Sequence, residues 1–149
     1  MLSNLKINNT NNVKYFGLDR YQTNYSFALY VQGKCELAQP YCVQAKRRLF
    51  ACLIYLKQYL NEDDLVAIYL DVIDESNTQL PGFRLLIDDV RKGLFKKILI
   101  WDLESVLKID KLHDQLIGLT KSEDRLEFFD LKGNLLQSDT LPISQLLGV

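Results

Sequence analysis

The stretch LVAIYLDV, residues 65–72, predicts a β-strand that is buried on both faces. The run is apolar without polar alternation, which is typical of strands in a parallel sheet covered on both sides. An earlier run of the same kind, FALYV at residues 27–31, ends at Gly33. Between them, apolar residues recur at the steps of an amphipathic helix of about five turns, which can have Pro40 in its first turn. These positions are Cys42, Ala45, Leu49, Cys52, Leu53, Leu56 and Leu60. Strand, helix and strand in this order predict a βαβ unit with parallel strands.

The alternation of strands and helices continues to residue 119. A polar loop at residues 74–79 ends at Pro81-Gly82, and helical spacing then runs up to Gly93. The apolar positions of this second helix are Phe83, Leu86, Ile87, Val90 and Leu94. ILIW at residues 98–101 is the predicted third strand. A third helix has Ile109, Leu112, Leu116 and Leu119 on its apolar face.

Two short segments near the end of the chain predict an edge strand or a hairpin. Residues 125–129 alternate charged and apolar side chains, and Lys132-Gly133-Asn134 supplies turn residues before Leu135-Leu136. Strands that alternate with helices at this spacing predict an α/β fold. We expect a three-layer domain with a mainly parallel sheet that is covered on both faces.

Length and composition fit one domain. The chain has 149 residues, of which 48% are hydrophobic, and this is the commonest domain size. Residues 1–25 are rich in asparagine, so we expect a polar N-terminal segment before a single domain at residues 26–149. No apolar stretch approaches the roughly 20 residues of a membrane span, and a signal-peptide pattern is missing. We therefore expect a cytoplasmic protein.

The charged residues restrict the kinds of partner. Eighteen Lys and Arg against nineteen Asp and Glu give a net charge of −1, so phosphate or DNA binding requires a local basic patch. A solvated helix surface is the simpler interpretation of such patches, and phosphate contact is the alternative. The two candidate patches are Lys46, Arg47 and Arg48, and Arg91, Lys92, Lys96 and Lys97.

The sequence carries no cofactor motif and no metal-binding pattern. A single glycine, Gly33, follows the first strand, so neither a P-loop nor a dinucleotide fingerprint is present and we expect no cofactor. Three cysteines and one histidine predict reduced thiols and no metal site. Cys42 and Cys52 lie on an apolar helix stripe, where we expect core packing. Cys35 follows a strand end beside Lys34, where a thiolate can be stabilised, although an ordinary loop cysteine is the simpler interpretation.

Four segments resemble the catalytic domain of the serine recombinases, the resolvase and invertase family. The likeness covers roughly residues 26–130 and implies a resolvase-like α/β domain with a link to DNA recombination or a mobile element. The segments are FALYV at 27–31, YLD at 69–71 with DES at 74–76, LPGF at 80–83, and ILIWDL at 98–103.

The residues that the resemblance assigns to catalysis are replaced. In the family, the first strand runs into Tyr-x-Arg-x-Ser, whose serine attacks a DNA phosphate and whose arginine balances its charge. Here the matching residues are Gln32 for the arginine and Lys34 for the serine. A register shifted by one residue, anchored on Gln39 and Gln44, gives Gly33 and Cys35 instead.

A second group of family residues is also replaced. The Asp-Arg-x-x-Arg cluster falls on Glu104, Ser105 and Lys108, and the arginine before Pro-Gly-Phe is Leu80. Phosphoryl transfer depends on positioned cations, and lysine lacks the planar fork of arginine. The resemblance therefore implies a pseudoenzyme.

The end of the chain differs from the family, whose members continue into a long interface helix and a DNA-binding domain. Pro142 with seven residues after it does not fit that helix, so we expect neither element. Seven apolar residues lie close together in the last fifteen positions of the chain. They predict either a homodimer or pairing with a recombinase-like protein, or a segment that folds back over the sheet edge. They are Leu135, Leu136, Leu141, Ile143, Leu146, Leu147 and Val149.

Three functions are compatible with these observations. The first is a catalytically inactive resolvase-like domain that acts as an interaction or regulatory module. The second is an enzyme of phosphoryl or acyl transfer that uses Cys35 as nucleophile, with Lys34 stabilising its thiolate. The third is a DNA-associated protein that uses its basic patches.

Overall fold

The computed structural model describes residues 12–15, 26–34, 42–73, 80–123 and 125–137. Within this part of the chain, six strands form one sheet in the order β1-β3-β2-β4-β5-β6. The strands β3, β2, β4 and β5 are parallel, and β1 and β6 are antiparallel edge strands. The predicted mainly parallel sheet is therefore confirmed. The strands are β1 (Asn12–Tyr15), β2 (Phe27–Lys34), β3 (Leu65–Ile73), β4 (Lys97–Ile100), β5 (Glu127–Asp130) and β6 (Leu135–Gln137).

Helices cover both faces of the sheet and make the predicted three layers. The helices are α1 (Val43–Tyr59), α2 (Pro81–Arg91), α3 (Leu103–Leu107) and α4 (Asp110–Ser122), and a 3-10 turn covers Glu62–Asp64. Helix α1 packs on one face, here called the α1 face, and α2, α3 and α4 pack on the other. None of these helices is long and apolar enough to cross a membrane.

Strand β2 shows why polar and apolar residues do not alternate in the strand sequences. Its side chains point to the two faces in turn. Leu29 lies in the core beneath α1, and Tyr30 lies in the core beneath α2–α4. Both are fully buried, so apolar residues are required at successive positions. The same holds for Ile98, Leu99 and Ile100 in β4.

Helix α1 begins later than the sequence predicts. Its N-cap is Cys42, whose Sγ accepts a hydrogen bond from the Ala45 backbone N–H at 3.5 Å. Pro40, the predicted first-turn residue, lies outside the described residues. Cys42 and Cys52 are both buried free thiols, as predicted. Burial raises the pKa of Cys52 to about 12, so this thiol stays protonated at neutral pH.

Two elements were not predicted from apolar periodicity. Helix α3 has only five residues, too few for a helical repeat to be visible in the sequence. Strand β1 lies within residues 1–25, where we expected a polar segment without regular structure. Its sequence, NVKY, contains Val and Tyr, which favour strands, and an edge position tolerates polar neighbours.

The strand order fixes where a ligand site is expected. From β2 the chain passes through α1 to β3 on one side, and from β3 it passes through α2 to β4 on the other side of β2. In open α/β sheets, ligands bind outside the carboxyl ends of the two strands where the order reverses. We call the carboxyl ends of β2 and β4, with the residues that follow them, the switch-point edge.

Candidate functional site

Two of the predicted catalytic positions, Gln32 and Lys34, lie at the switch-point edge. The Gln32 side-chain amide donates a hydrogen bond to the Tyr30 hydroxyl at 2.9 Å. Lys34 is exposed, and its backbone N–H donates to the Gln44 side-chain oxygen at 2.7 Å. Gln44 in the first turn of α1 thus holds the end of β2. Cys35 lies outside the described residues.

Arg48 of α1 also reaches the switch-point edge. Its Nη1 donates to the Gln32 carbonyl oxygen at 3.0 Å, and its guanidinium lies 5.9 Å from the centre of the Trp101 ring. Trp101 follows β4 directly. The sequence had placed Arg48 with Lys46 and Arg47 in one basic patch. Lys46 and Arg47 are exposed, whereas Arg48 is half-buried and contributes a cation beside Gln32.

A buried carboxylate, Asp71, joins β3 to the start of α2. It accepts hydrogen bonds from the Gly82 N–H at 2.7 Å, the Phe83 N–H at 2.8 Å and the Tyr30 hydroxyl at 2.6 Å. Burial and the Asp71 charge both raise the pKa of Tyr30 well above its ordinary value. A carboxylate at a helix N-terminus is stabilised by the helix dipole. Leu80 at the N-cap position of α2 makes no side-chain hydrogen bond. Asp71 of β3 therefore takes its place and caps the N-terminus of α2.

A second buried carboxylate, Asp130, ends β5 and fixes two other elements. Its Oδ2 accepts from the Leu103 N–H at the start of α3 and from the Asn134 side-chain amide, both at 2.9 Å. Its Oδ1 accepts from the Lys132 and Asn134 backbone N–H groups, also at 2.9 Å. Asp130 thus ties the β5–β6 hairpin to α3.

The second predicted group, Glu104, Ser105 and Lys108, lies on α3 and its C-terminal end. All three are exposed. The Ser105 hydroxyl donates to Asp102 at 2.8 Å, and its backbone N–H donates to the same carboxylate at 3.4 Å. Burial acts to raise the pKa of Asp102. The hydrogen bonds from Ser105 and the Lys132 ammonium, which lies 3.5 Å away, outweigh burial and lower this pKa below its ordinary value. Ser105 therefore belongs to the N-terminal cap of α3.

The two predicted basic clusters are far apart. Each connecting helix runs antiparallel to the strands that it joins, so α1 begins at the carboxyl edge of the sheet and α2 ends at the amino edge. The first cluster lies at the start of α1 on the α1 face. The second lies on the other face and at the opposite edge, around the end of α2 and the start of β4. Two clusters in these places do not make one continuous surface.

A groove between α2 and α4 is lined by one residue of the second cluster, Arg91, and by another arginine, Arg84. It has a volume of about 250 Å³ and is lined by Arg84, Ile87, Asp88, Arg91 and Gln115. Asp88, which lies between the two arginines in the sequence, carries the opposite charge. The described residues include no group of three His, Cys, Asp or Glu side chains placed to hold a metal ion.

Comparisons with models of protein families, with curated proteins and with solved structures gave no significant match to the chain. The relationship to serine recombinases is therefore a hypothesis that rests on the four sequence segments.

Proposed function

We propose that the chain is a resolvase-like domain that does not exchange DNA strands. It acts in the cytoplasm as an interaction or regulatory module, either in DNA recombination or in a mobile element. The observation that carries the proposal is the side chain of Gln32 at the switch-point edge. It is a neutral amide bound to Tyr30. An amide does not attack a phosphate, and it carries no positive charge that could balance the charge of a phosphate as an arginine does.

The other groups near this edge are also engaged in structural contacts. The Arg48 guanidinium donates to a backbone carbonyl and packs on Trp101. The Ser105 hydroxyl donates to Asp102. Removing one charge-stabilising group from a phosphoryl- or acyl-transfer site costs about two to three powers of ten in rate, or roughly 2.7–4 kcal/mol. Several replacements together support a role without strand exchange.

The test of this proposal is a plasmid assay with two arms. In the first, the domain alone is incubated with supercoiled plasmid, and the products are separated on a denaturing gel and examined for covalent protein–DNA adducts. We expect intact plasmid and no adduct. Nicking that disappears in Cys35→Ala would overturn the proposal and support the Cys35 enzyme. An active resolvase-family enzyme is the positive control.

The second arm tests the regulatory role. The domain is added to a resolvase-family enzyme from the same genome, and the rate of recombination is measured at increasing domain concentration. We expect a change in rate that saturates with the folded domain. Heat-denatured domain is the control. An unchanged rate at all concentrations contradicts a regulatory role on that enzyme.

A further inference from the structure

Helix α1 covers only part of the α1 face. Connections between parallel strands are right-handed, so the direction in which the chain crosses the sheet decides which face receives the helix. The chain moves one way from β2 to β3, and it moves the other way from β3 to β4 and from β4 to β5. Helices α2, α3 and α4 therefore share the opposite face. Within the described ranges, α1 is the only helix on the α1 face, where it packs on β2 and β3.

One row of side chains shows where this cover ends. The row consists of Leu29, Leu99, Phe129 and Leu135, which are neighbours in register on β2, β4, β5 and β6. Paired residues point to the same face of a sheet. Phe129 packs against the core beneath α1, so its partner Leu135 also points to the α1 face. Leu29 and Leu99 are fully buried, whereas Phe129 is half-buried and Leu135 is 46% exposed. Exposure along this row thus increases with distance from α1.

Two further apolar side chains lie on the same side. Trp101 and Leu131 follow β4 and β5 directly, and both are half-buried against the core beneath α1. We call Trp101, Phe129, Leu131 and Leu135 the open face. Apolar residues on a sheet face are typical of a layer that another element covers. The open face therefore indicates a covering element besides the described helices.

The segment that follows β6 begins next to the open face. Gln137 ends β6 two residues after Leu135, so its side chain lies on the same side of the sheet. Residues 138–140, SDT, favour a turn. Residues 141–149, LPISQLLGV, include five Leu, Ile or Val residues and no charged side chain. Burying this segment removes apolar surface from water and desolvates no charged side chain.

The segment is long enough to cross the open face. Nine residues span at most about 30 Å when extended and about 13 Å as a helix. The open face extends over β4, β5 and β6, which are two strand spacings, or about 10 Å, across. Because the segment belongs to the same chain, its effective concentration at the open face is on the order of millimolar. A separate partner must reach a comparable concentration or bind more tightly.

We propose that residues 141–149 pack on the open face of their own chain and complete the third layer over β4, β5 and β6. Of the alternatives that the sequence left open, this one is the segment that folds back over the sheet. Its apolar residues are then an internal cover, and they are not the surface that pairs with a second copy or with another protein. The proposal does not depend on whether the domain exchanges DNA strands, so its tests and the plasmid assay are independent.

The first experiment compares solvent access to two side chains of the full chain. Hydroxyl radicals oxidise leucine and isoleucine at similar rates, and mass spectrometry locates the products. Ile54 on the outer side of α1 is 59% exposed and Leu135 is 46% exposed, so without a cover the two should react alike. We expect Leu135 to react several times more slowly than Ile54. Equal rates in the wild type overturn the proposal.

Variants of the segment extend this experiment. Ile143→Ser with Leu147→Ser removes two apolar side chains, and oxidation of Leu135 should then rise towards the rate of Ile54. The matched control is Ser144→Ala with Gln145→Ala, because it changes two polar residues of the same segment, and Leu135 should stay protected. Protection that survives in the serine variant, or that is lost in both variants, contradicts packing through the apolar residues.

The second experiment is a double-mutant cycle measured by chemical denaturation. Leu135→Ser and the double serine variant of the segment remove the same contact, so their effects on the folding equilibrium constant should not multiply. If each lowers the constant about tenfold, the combination should lower it by much less than about a hundredfold. In the control, Ile54→Ser is combined with the segment variant, and there the effects should multiply. Effects that also multiply for Leu135 show that the contact does not exist.

Light scattering on the wild type decides which chain supplies the cover. We expect a mass of 17.3 kDa that stays constant across a dilution series in which Leu135 stays protected. A dimer whose dilution exposes Leu135 means that a second copy covers the open face, and this result rules out packing within one chain.

Discussion

At the scale of single residues, the buried carboxylates Asp71 and Asp130 cap the N-termini of two helices. Asp71 lies near the carboxyl end of β3 and binds the N-terminus of α2, and Asp130 ends β5 and binds the N-terminus of α3. Their hydrogen bonds satisfy backbone N–H groups that no other residue of the helix can reach. The carboxyl edge of the sheet is therefore held by polar contacts between its elements.

Removing the Asp71 carboxylate should lower the stability of the fold. In Asp71→Ala, the Gly82 and Phe83 N–H groups and the Tyr30 hydroxyl lose their common acceptor inside the protein. We expect the free energy of unfolding to fall by about 2–4 kcal/mol, measured by urea denaturation. Asp71→Asn keeps one acceptor oxygen and should lose less. Equal stability of Asp71→Ala and wild type is the contrary result and means that Asp71 does not cap α2.

Asp102 should make a pH-dependent contribution to stability. Its pKa in the folded state is lowered from 3.8, so its contribution is present above the unfolded pKa and is lost as pH falls through the folded pKa. We expect the stability difference between wild type and Asp102→Asn to be constant from pH 7 to about pH 5 and to shrink below about pH 4. Thermal melts across this range measure it.

The control for this pH series is Asp114→Asn, which changes an exposed carboxylate on α4. The difference between wild type and this variant should be small throughout. A stability difference for Asp102→Asn that grows as the solution is acidified contradicts the expected sign.

At the scale of elements, α1 and β2 are packed against each other with no spare space. A Cβ atom on Gly33 would lie 2.4 Å from the Ala45 Cβ and 2.5 Å from its Cα and backbone nitrogen. The close approach explains why the strand carries glycine here. It also lets Gln44 reach the backbone of Lys34.

Gly33→Ala should push α1 away from the sheet. We expect a loss of about 1–3 kcal/mol in the free energy of unfolding, since backbone atoms of α1 must shift. The matched control is Gly118→Ala on α4, where an added Cβ meets nothing within 4 Å. That change should stabilise the helix by about 0.5–1 kcal/mol. The same sign for both substitutions in chemical denaturation contradicts the close packing of α1 on β2.

Most of the elements that the sequence predicted have apolar runs or helical repeats, as in β2, β3, β4, α1, α2 and α4, and the segments of β5 and β6 were predicted from alternation and turn residues. Helix α3 is too short to show a repeat, and β1 has no apolar run. The polar contacts of Asp71 and Gln32 were missed for another reason. Tyr30 meets Asp71, and Arg48 meets Gln32, only after the βαβ unit has folded. A lone acidic residue near the end of an apolar strand is the signal that points to such a cap.

At the scale of the whole molecule, the middle of the sheet is made from an early part of the chain. Residue 30 in β2 pairs with residue 69 in β3 and with residue 100 in β4. Long loops must therefore close before β2 has partners on both sides, which slows folding. A nascent or proteolysed chain that ends before residue 97 leaves one edge of β2 unpaired and its apolar side chains uncovered. An unpaired apolar edge favours association, so we expect that a chain ending before residue 97 does not fold into a smaller stable unit.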